Sequence, residues 1–160
     1  MKIFCDLDGV LVDFEAGFLR NFGFAHNSVP EGVMWKHIMN HERHWHEMPM
    51  MPDGQVLWDF IKPLGPTILT GCPRSGYDHA VIGKRFWVED QLKPNPPVIT
   101  CRSKDKQVHM KNAGDILIDD MKKNIDRWVA AGGVGILHTS AASSIAQLQK
   151  HLQDNNVELI

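Results

Sequence analysis

Five short apolar runs punctuate the chain: KIFCD at 2–6, PTILT at 66–70, PVITC at 97–101, DILID at 115–119 and VGILH at 134–138. None shows strict alternation of apolar and polar positions, the pattern expected of strands buried on both faces. The segments between them carry helical spacing. Residues 75–92 place Val81, Phe86, Trp87 and Leu92 at roughly one helical turn. Residues 122–133 hold Ile125, Trp128 and Val129 before two glycines stop the pattern, and 143–156 repeat Ile145, Leu148 and Leu152 before ending in asparagines. Strands alternating with helices predict βαβ units and a parallel sheet, and right-handed crossovers restrict its topology.

Residues 15–64 interrupt this rhythm. The block leans helical, is rich in Met, His and Trp, and is broken by Pro30, Pro49, Pro52 and Pro63. It is too long for a βα connection and reads as an inserted helical cap. The expected organisation is an α/β core of residues 1–14 and 65–160 with a small cap of residues 15–64.

Composition narrows the function classes. The 160 residues are 43% hydrophobic and 22% charged, with a formal net charge of −2, which argues against a general polyanion binder and against stable nucleic-acid binding. A small phosphorylated ligand held by a few local cations stays compatible with that balance. Cys5, Cys72 and Cys101 are odd in number and lack CxxC spacing, so neither a disulfide framework nor a cysteine zinc site is expected. The N-terminal stretch is interrupted by acids and does not read as a signal peptide, and no apolar run reaches membrane-spanning length. A cytoplasmic location is the expectation.

Candidate chemistry collects where strands end. The first run finishes in Asp6-Leu7-Asp8-Gly9, the second in Thr70-Gly71, the third in Thr100-Cys101-Arg102-Ser103 and the fourth in Asp119-Asp120. In an open parallel sheet, ligands bind beyond the carboxyl ends of the strands. With strand one between strands two and four, in the order 3-2-1-4-5, Asp6, Asp8, Thr70 and Asp119 meet in one crevice. That arrangement is a Rossmann-like three-layer α/β/α fold. A single aspartate there would be read as a helix cap. A set of carboxylates at matching strand ends needs a counter-charge, and all-oxygen ligation suits Mg²⁺. Gly9 lets the chain turn away and leaves backbone N–H groups for a phosphate.

These pieces resemble the motifs of the haloacid dehalogenase superfamily of phosphotransferases: DLDGV for the first, ILTG for the second and ILIDD for the fourth. The resemblance implies that Asp6 is the nucleophile and that Asp8 is the general acid and base. It implies that Thr70 hydrogen-bonds the phosphoryl group, and that Asp119 with the Asp8 carbonyl completes the Mg²⁺ shell, with Asp120 in support. The third motif needs a lysine, for which Lys104, Lys106 and Lys111 are available; Lys106, placed to head a helix after strand three, is the choice made here. Arg74 and Arg102 are further candidates for anion contacts.

Within that superfamily the chain looks most like the 5′(3′)-deoxyribonucleotidases and their short bacterial and phage relatives. The resembling pieces are DLDGVLVDFEAGFL, ILTGCP followed by KRFWVEDQL, and ILIDD. The implied substrate is a nucleoside monophosphate whose base packs on cap aromatics, for which Phe14, Phe18, Trp35 and Trp45 are candidates. The same aromatics would serve equally as the cap's own core. Gly71 departs from the pattern, standing where the nucleotidases typically place a serine, and Cys72 reads as a small packing residue. His37, His41 and His44 at i, i+4 and i+7 would share a helix face, which raises zinc binding or substrate contact, with His46 beside them. The competing readings are a phosphatase for another small ester or a polynucleotide 3′ end, a silent binding protein, and a zinc-binding interaction module. Homodimerisation is left open.

Overall fold

The computed structural model describes residues 1–157. Five strands, β1 (Ile3–Cys5), β2 (Thr67–Gly71), β3 (Val98–Cys101), β4 (Ile116–Asp119) and β5 (Val134–Leu137), form one parallel sheet in the order β3-β2-β1-β4-β5. The register pairs Cys5 with Ile68 and Ile118, and Thr70 with Thr100, so the carboxyl ends of the central strands finish level with one another. This is the α/β class and strand order expected from the sequence.

Side chains alternate across the sheet because successive strand residues point to opposite faces. Ile3, Cys5, Ile68, Ile116, Ile118 and Ile136 pack on one face, together with residues of α3 (Gly54–Ile61), α4 (Tyr77–Gln91) and α6 (Ala141–Asp154). Phe4, Leu69 and Leu117 point to the other face, where α5 (Lys122–Ala130) contributes Ile125 and Trp128. The indole N–H groups of three buried tryptophans are satisfied by backbone carbonyls: Trp58 donates to Lys93, Trp87 to Met48 and Trp128 to Asp115. At these three positions aromatic bulk is buried without orphaning its polar edge, whereas the buried Trp45 of the cap leaves its Nε1 without a partner among the described residues.

The remaining helices, α1 (Phe14–Phe22) and α2 (Glu31–Met39), belong to the insert. Asp13 caps α1 by accepting from the Ala16 N–H at 3.0 Å. The insert is tied at its neck by two backbone bonds, Asp13 N to Pro49 O and Met51 N to Leu11 O, both 2.8 Å. Helix α3 falls in the expected cap range 15–64 yet lies beyond this neck and packs with the sheet, since Leu57, Trp58 and Ile61 are buried in the main core.

Two local expectations change. The link from β3 to β4 holds a 3₁₀ segment at Ser103–His109 in place of a helix, so Lys106 sits inside that segment and heads nothing. The histidines do not share a helix face. Helix α2 ends at Met39: Asn40 N makes the last i→i−4 bond, to Lys36 O, and His41 N bonds Ile38 O instead, leaving His41, His44 and His46 in the following turns. No helix among the described residues is long and apolar enough to cross a membrane.

Candidate active site

The site is built on the loop after β1. Three successive N–H groups, from Val10, Leu11 and Val12, converge on Leu7 O, folding residues 7–12 into a tight turn. Gly9 takes φ +80° there, and a Cβ at this position would overlap the Asp120 carboxylate. Glycine is therefore required twice, for the left-handed backbone and for the close approach of Asp120.

Asp6 is buried beside Lys106, whose ammonium lies 2.8 Å from Asp6 Oδ1 and 2.7 Å from Asp119 Oδ2. Lys106 itself is 1% exposed, which is tolerable only because two carboxylates flank it. Burial alone would pull its pKa down; Asp6 and Asp119 more than offset that and hold the ammonium protonated. Lys104 lies on the cavity wall and is exposed, whereas Lys111 lies outside the cavity and gives its backbone N–H to Asp115.

Asp119 is fully buried and well supplied with donors. Its Oδ1 accepts from Met121 N at 2.8 Å, and its Oδ2 accepts from Lys106 and from Asn124 Nδ2 at 3.1 Å. Asp120 differs. No donor from another residue reaches its carboxyl among the described residues, and desolvation and then Asp119 raise its pKa to about 6. Asp6 is pushed up to about 8, first by burial and next by Asp119, against the opposing pull of Lys106. Carboxylate oxygens of Asp6, Asp119 and Asp120 lie within 4.8 Å of one another. This is the one group of three or more potential ligands found among the described residues, so the cap histidines do not assemble a zinc site.

A second lysine, absent from the sequence reading, completes the floor. Lys84 on α4 places its ammonium 2.6 Å from Asp8 Oδ2, 2.7 Å from Gly71 O and 3.2 Å from Thr70 Oγ1, over the Trp45 ring at 4.7 Å. The signal was present: Lys84 lies on the buried stripe of α4 with Ala80, Gly83, Trp87 and Val88. A lysine on an apolar helix face needs a buried partner, and Asp8 is that partner. Gly71 leaves a gap that Ser103 fills, since Ser103 Oγ occupies the position a side chain at 71 would take. A hydroxyl from β3's end thus stands where one from β2's end is missing.

Above this floor opens a cavity of about 1270 Å³, lined by Asp6, Asp8, Gly9, Gly71, Lys84, Lys106 and Asp120 below and by cap residues above. Phe14 is half-buried at its wall and stacks on Trp45 with centroids 5.8 Å apart. Trp35 lines the cavity and donates to Glu31 Oε1 at 3.2 Å. Phe18 is fully buried in the cap core with Met34 and Ile38, away from the cavity, and has no route to a substrate. Arg74 and Arg102 both reach the cavity wall.

No family model matches the chain, and no curated protein matches it. Among solved structures it is similar to a hydrolase from Streptococcus pneumoniae TIGR4, at 18% identity and a TM-score of 0.49, covering 95% of this chain and 97% of that one. It is also similar to a phosphonoacetaldehyde hydrolase like protein from Oleispira antarctica, at 12% identity and a TM-score of 0.49, covering 98% and 86% respectively. At these values neither likeness carries a functional argument, and the chemistry has to be read from the strand-end residues themselves.

Proposed function

We propose that this chain is a phosphomonoester hydrolase working through an aspartyl-phosphate on Asp6, with a nucleoside monophosphate as its substrate. One observation carries the reading. A buried aspartate at the end of the central strand is clamped by a buried lysine, while a second carboxylate two residues on faces the cavity mouth under a lysine of its own. The resemblance of DLDGV, ILTG and ILIDD to the haloacid dehalogenase motifs supports the same chemistry.

Asp6 uses its carboxylate oxygen to attack phosphorus, with Lys106 holding that carboxylate in place and offsetting charge. The bond to the leaving oxygen breaks as Asp8 hands it a proton. Asp8 then takes a proton from the water that attacks the aspartyl-phosphate, releasing inorganic phosphate and restoring Asp6. Lys84 holds the Asp8 carboxyl at 2.6 Å and presents its ammonium to the same part of the cavity, where an arriving phosphate would meet it. Ser103 offers a hydroxyl on the cavity wall for the transferring group, while Thr70 is fully buried off that wall with its Oγ1 accepting from Lys84.

The acidic group fits a divalent oxygen-bound cation. Asp120, with no competing donor, and Asp6, with one oxygen turned from Lys106, would hold Mg²⁺ together with the Asp8 carbonyl. Asp119 is better suited to positioning Lys106, since Lys106, Asn124 and Met121 N already take its oxygens. The ion would supply charge neutralisation between nucleophile and phosphate. The half-buried Phe14 and the adjoining Trp35 and Trp45 supply aromatic surface for a base, a contact worth ~1–3 kcal/mol.

The test is a phosphate-release screen over nucleoside monophosphates and sugar phosphates, with Mg²⁺ or EDTA, on the natural chain and Asp6→Asn. Release that needs Mg²⁺ and disappears in Asp6→Asn is expected. Absence of release from every ester sinks the enzyme reading. Sugar phosphates outpacing every nucleotide would keep the mechanism and discard the nucleotide.

A further inference from the structure

The cap turn that carries Trp45 is fastened to α4 at both ends. His79 Nε2 donates to His41 O and to Glu42 O, each at 3.2 Å, and Trp87 Nε1 donates to Met48 O at 2.8 Å. Between these anchors the turn rests on a glycine. A Cβ at Gly83 would lie 2.4 Å from Trp45 Cβ, so a larger residue there would push the turn off the helix. Gly83 stands inside α4 with no left-handed backbone to require it, and a glycine in that setting weakens a helix. The close approach of Trp45 is what it serves. His79, Gly83 and Trp87 recur at i, i+4 and i+8 on one face of α4, and Lys84 follows Gly83 directly.

That approach delivers the Trp45 ring to the Lys84 ammonium, which lies 4.7 Å from the ring centroid, within reach of a cation–π contact. The three N–H groups of Lys84 go to Asp8 Oδ2, Gly71 O and Thr70 Oγ1 at 2.6, 2.7 and 3.2 Å. Those acceptors belong to the ends of β1 and β2; Trp45 is what the cap adds to the same ammonium. The indole is held in turn by Phe14, stacked at 5.8 Å, and by His44, edge-on at 4.9 Å. Trp45 is 3% exposed whereas Phe14 and Trp35 are half-buried, so most of the aromatic surface facing the cavity belongs to those two. With its Nε1 unbonded among the described residues, what the indole offers here is its face, the strongest of the aromatic side chains for a cation. Lys84 lines the cavity on a flexible stem, and without that face its ammonium would be free to leave Asp8 for water.

We propose that Trp45 is a positioning residue for the hydrolysis, fixing the Lys84 ammonium against Asp8, so that the cap contributes to the chemical step as well as to substrate binding. The inference rests on the phosphatase reading and adds a residue to it.

The experiment compares phosphate release in Mg²⁺ from thymidine 5′-monophosphate and from 2-deoxyribose 5-phosphate, which lacks the base. Trp45→Leu is expected to lower kcat ~10-fold on both esters. Gly83→Ala, which keeps the indole and displaces the turn, should do the same. Trp45→Phe retains an aromatic face and should recover most of the loss, to within ~3-fold of the natural chain. A loss confined to the nucleotide, or to KM, makes Trp45 a base-stacking residue and overturns the proposal. Equal losses in the Phe and Leu variants, or an unmoved kcat in Trp45→Leu or Gly83→Ala, overturn it as well. Acetylation by acetic anhydride, read by mass spectrometry, follows Lys84 without turnover. Lys84 should be protected in the natural chain and in Trp45→Phe, and modified faster in Trp45→Leu and Gly83→Ala, with the buried Lys106 protected throughout. Lys84 equally protected in all four proteins, or Lys106 exposed together with it, overturns the proposal, the second outcome because Trp45 would then hold the fold rather than Lys84. No release from either ester by the natural chain rejects the hydrolase reading alone, and the acetylation pattern then decides the positioning.

Discussion

The floor of the cavity and the cap above it both bury titratable side chains, and they avoid the cost of burying charge by opposite means. On the floor, Lys106 is enclosed between Asp6 and Asp119 and stays charged because both carboxyl groups lie within hydrogen-bond reach of its ammonium. In the cap, His44 is wholly buried against Phe22, stacked at 5.4 Å, and Trp45, and takes one hydrogen bond, from Asn21. It has no acid beside it, so it stays neutral: burial first, then His41 and His79, lowers its pKa to about 3. Pairing keeps charge where catalysis can use it. Neutralisation removes charge where the fold needs only packing.

Removing the clamp tests the comparison most severely. Lys106→Met leaves Asp6 and Asp119 facing each other without a cation, and breaking such a buried pair costs ~3–5 kcal/mol, read by urea unfolding. A loss below 1 kcal/mol would mean that the floor does not depend on pairing.

The cap responds to acid. His44 has an ordinary pKa of 6.5 when unfolded and about 3 when folded, so between those values the unfolded chain binds a proton that the native chain refuses. Stability therefore falls as pH drops below 6.5, by about 3 kcal/mol on reaching pH 4 from this residue alone. In His44→Gln that part of the acid sensitivity should vanish from the pH dependence of unfolding. An unchanged acid limb would show that His44 is protonated in the native cap.

Lys84→Met should do less than Lys106→Met, about 1–3 kcal/mol. Its partner Asp8 keeps 32% of its side-chain surface exposed and can recover water when the ammonium is gone, whereas Asp119 at 0% cannot. Equal losses for the two variants would erase the distinction between a sealed pair and one at the cavity mouth.

Much of this was legible in the sequence for identifiable reasons. Short apolar runs such as ILID and ILTG could only be buried strands, and polar residues placed straight after them had to surface at one edge of a parallel sheet. The apolar stripe Ala80, Gly83, Trp87 and Val88 marks Lys84 as buried, but which acid it meets is decided only when α4 is laid against the sheet beside Asp8. The histidine face failed for a local reason: α2 ends at Met39, and the chain goes over to i→i−3 bonds at His41 before the periodic spacing can become a shared face. Helix α3 was assigned with the cap because no strand separates it from the insert, and only its contacts with the core place it elsewhere.

The sequence by itself determined the five strands, the helices α4, α5 and α6 and the aspartates at the ends of β1 and β4, because hydrophobic periodicity and chain direction act locally. Tertiary structure decided which charges meet. Lys84 lies 76 residues from Asp8, and Ser103 fills the gap at Gly71 from another strand. Partners so distant in the chain are set by which elements pack together, and in a low-dielectric interior that choice fixes whether a buried charge is stabilised or lost.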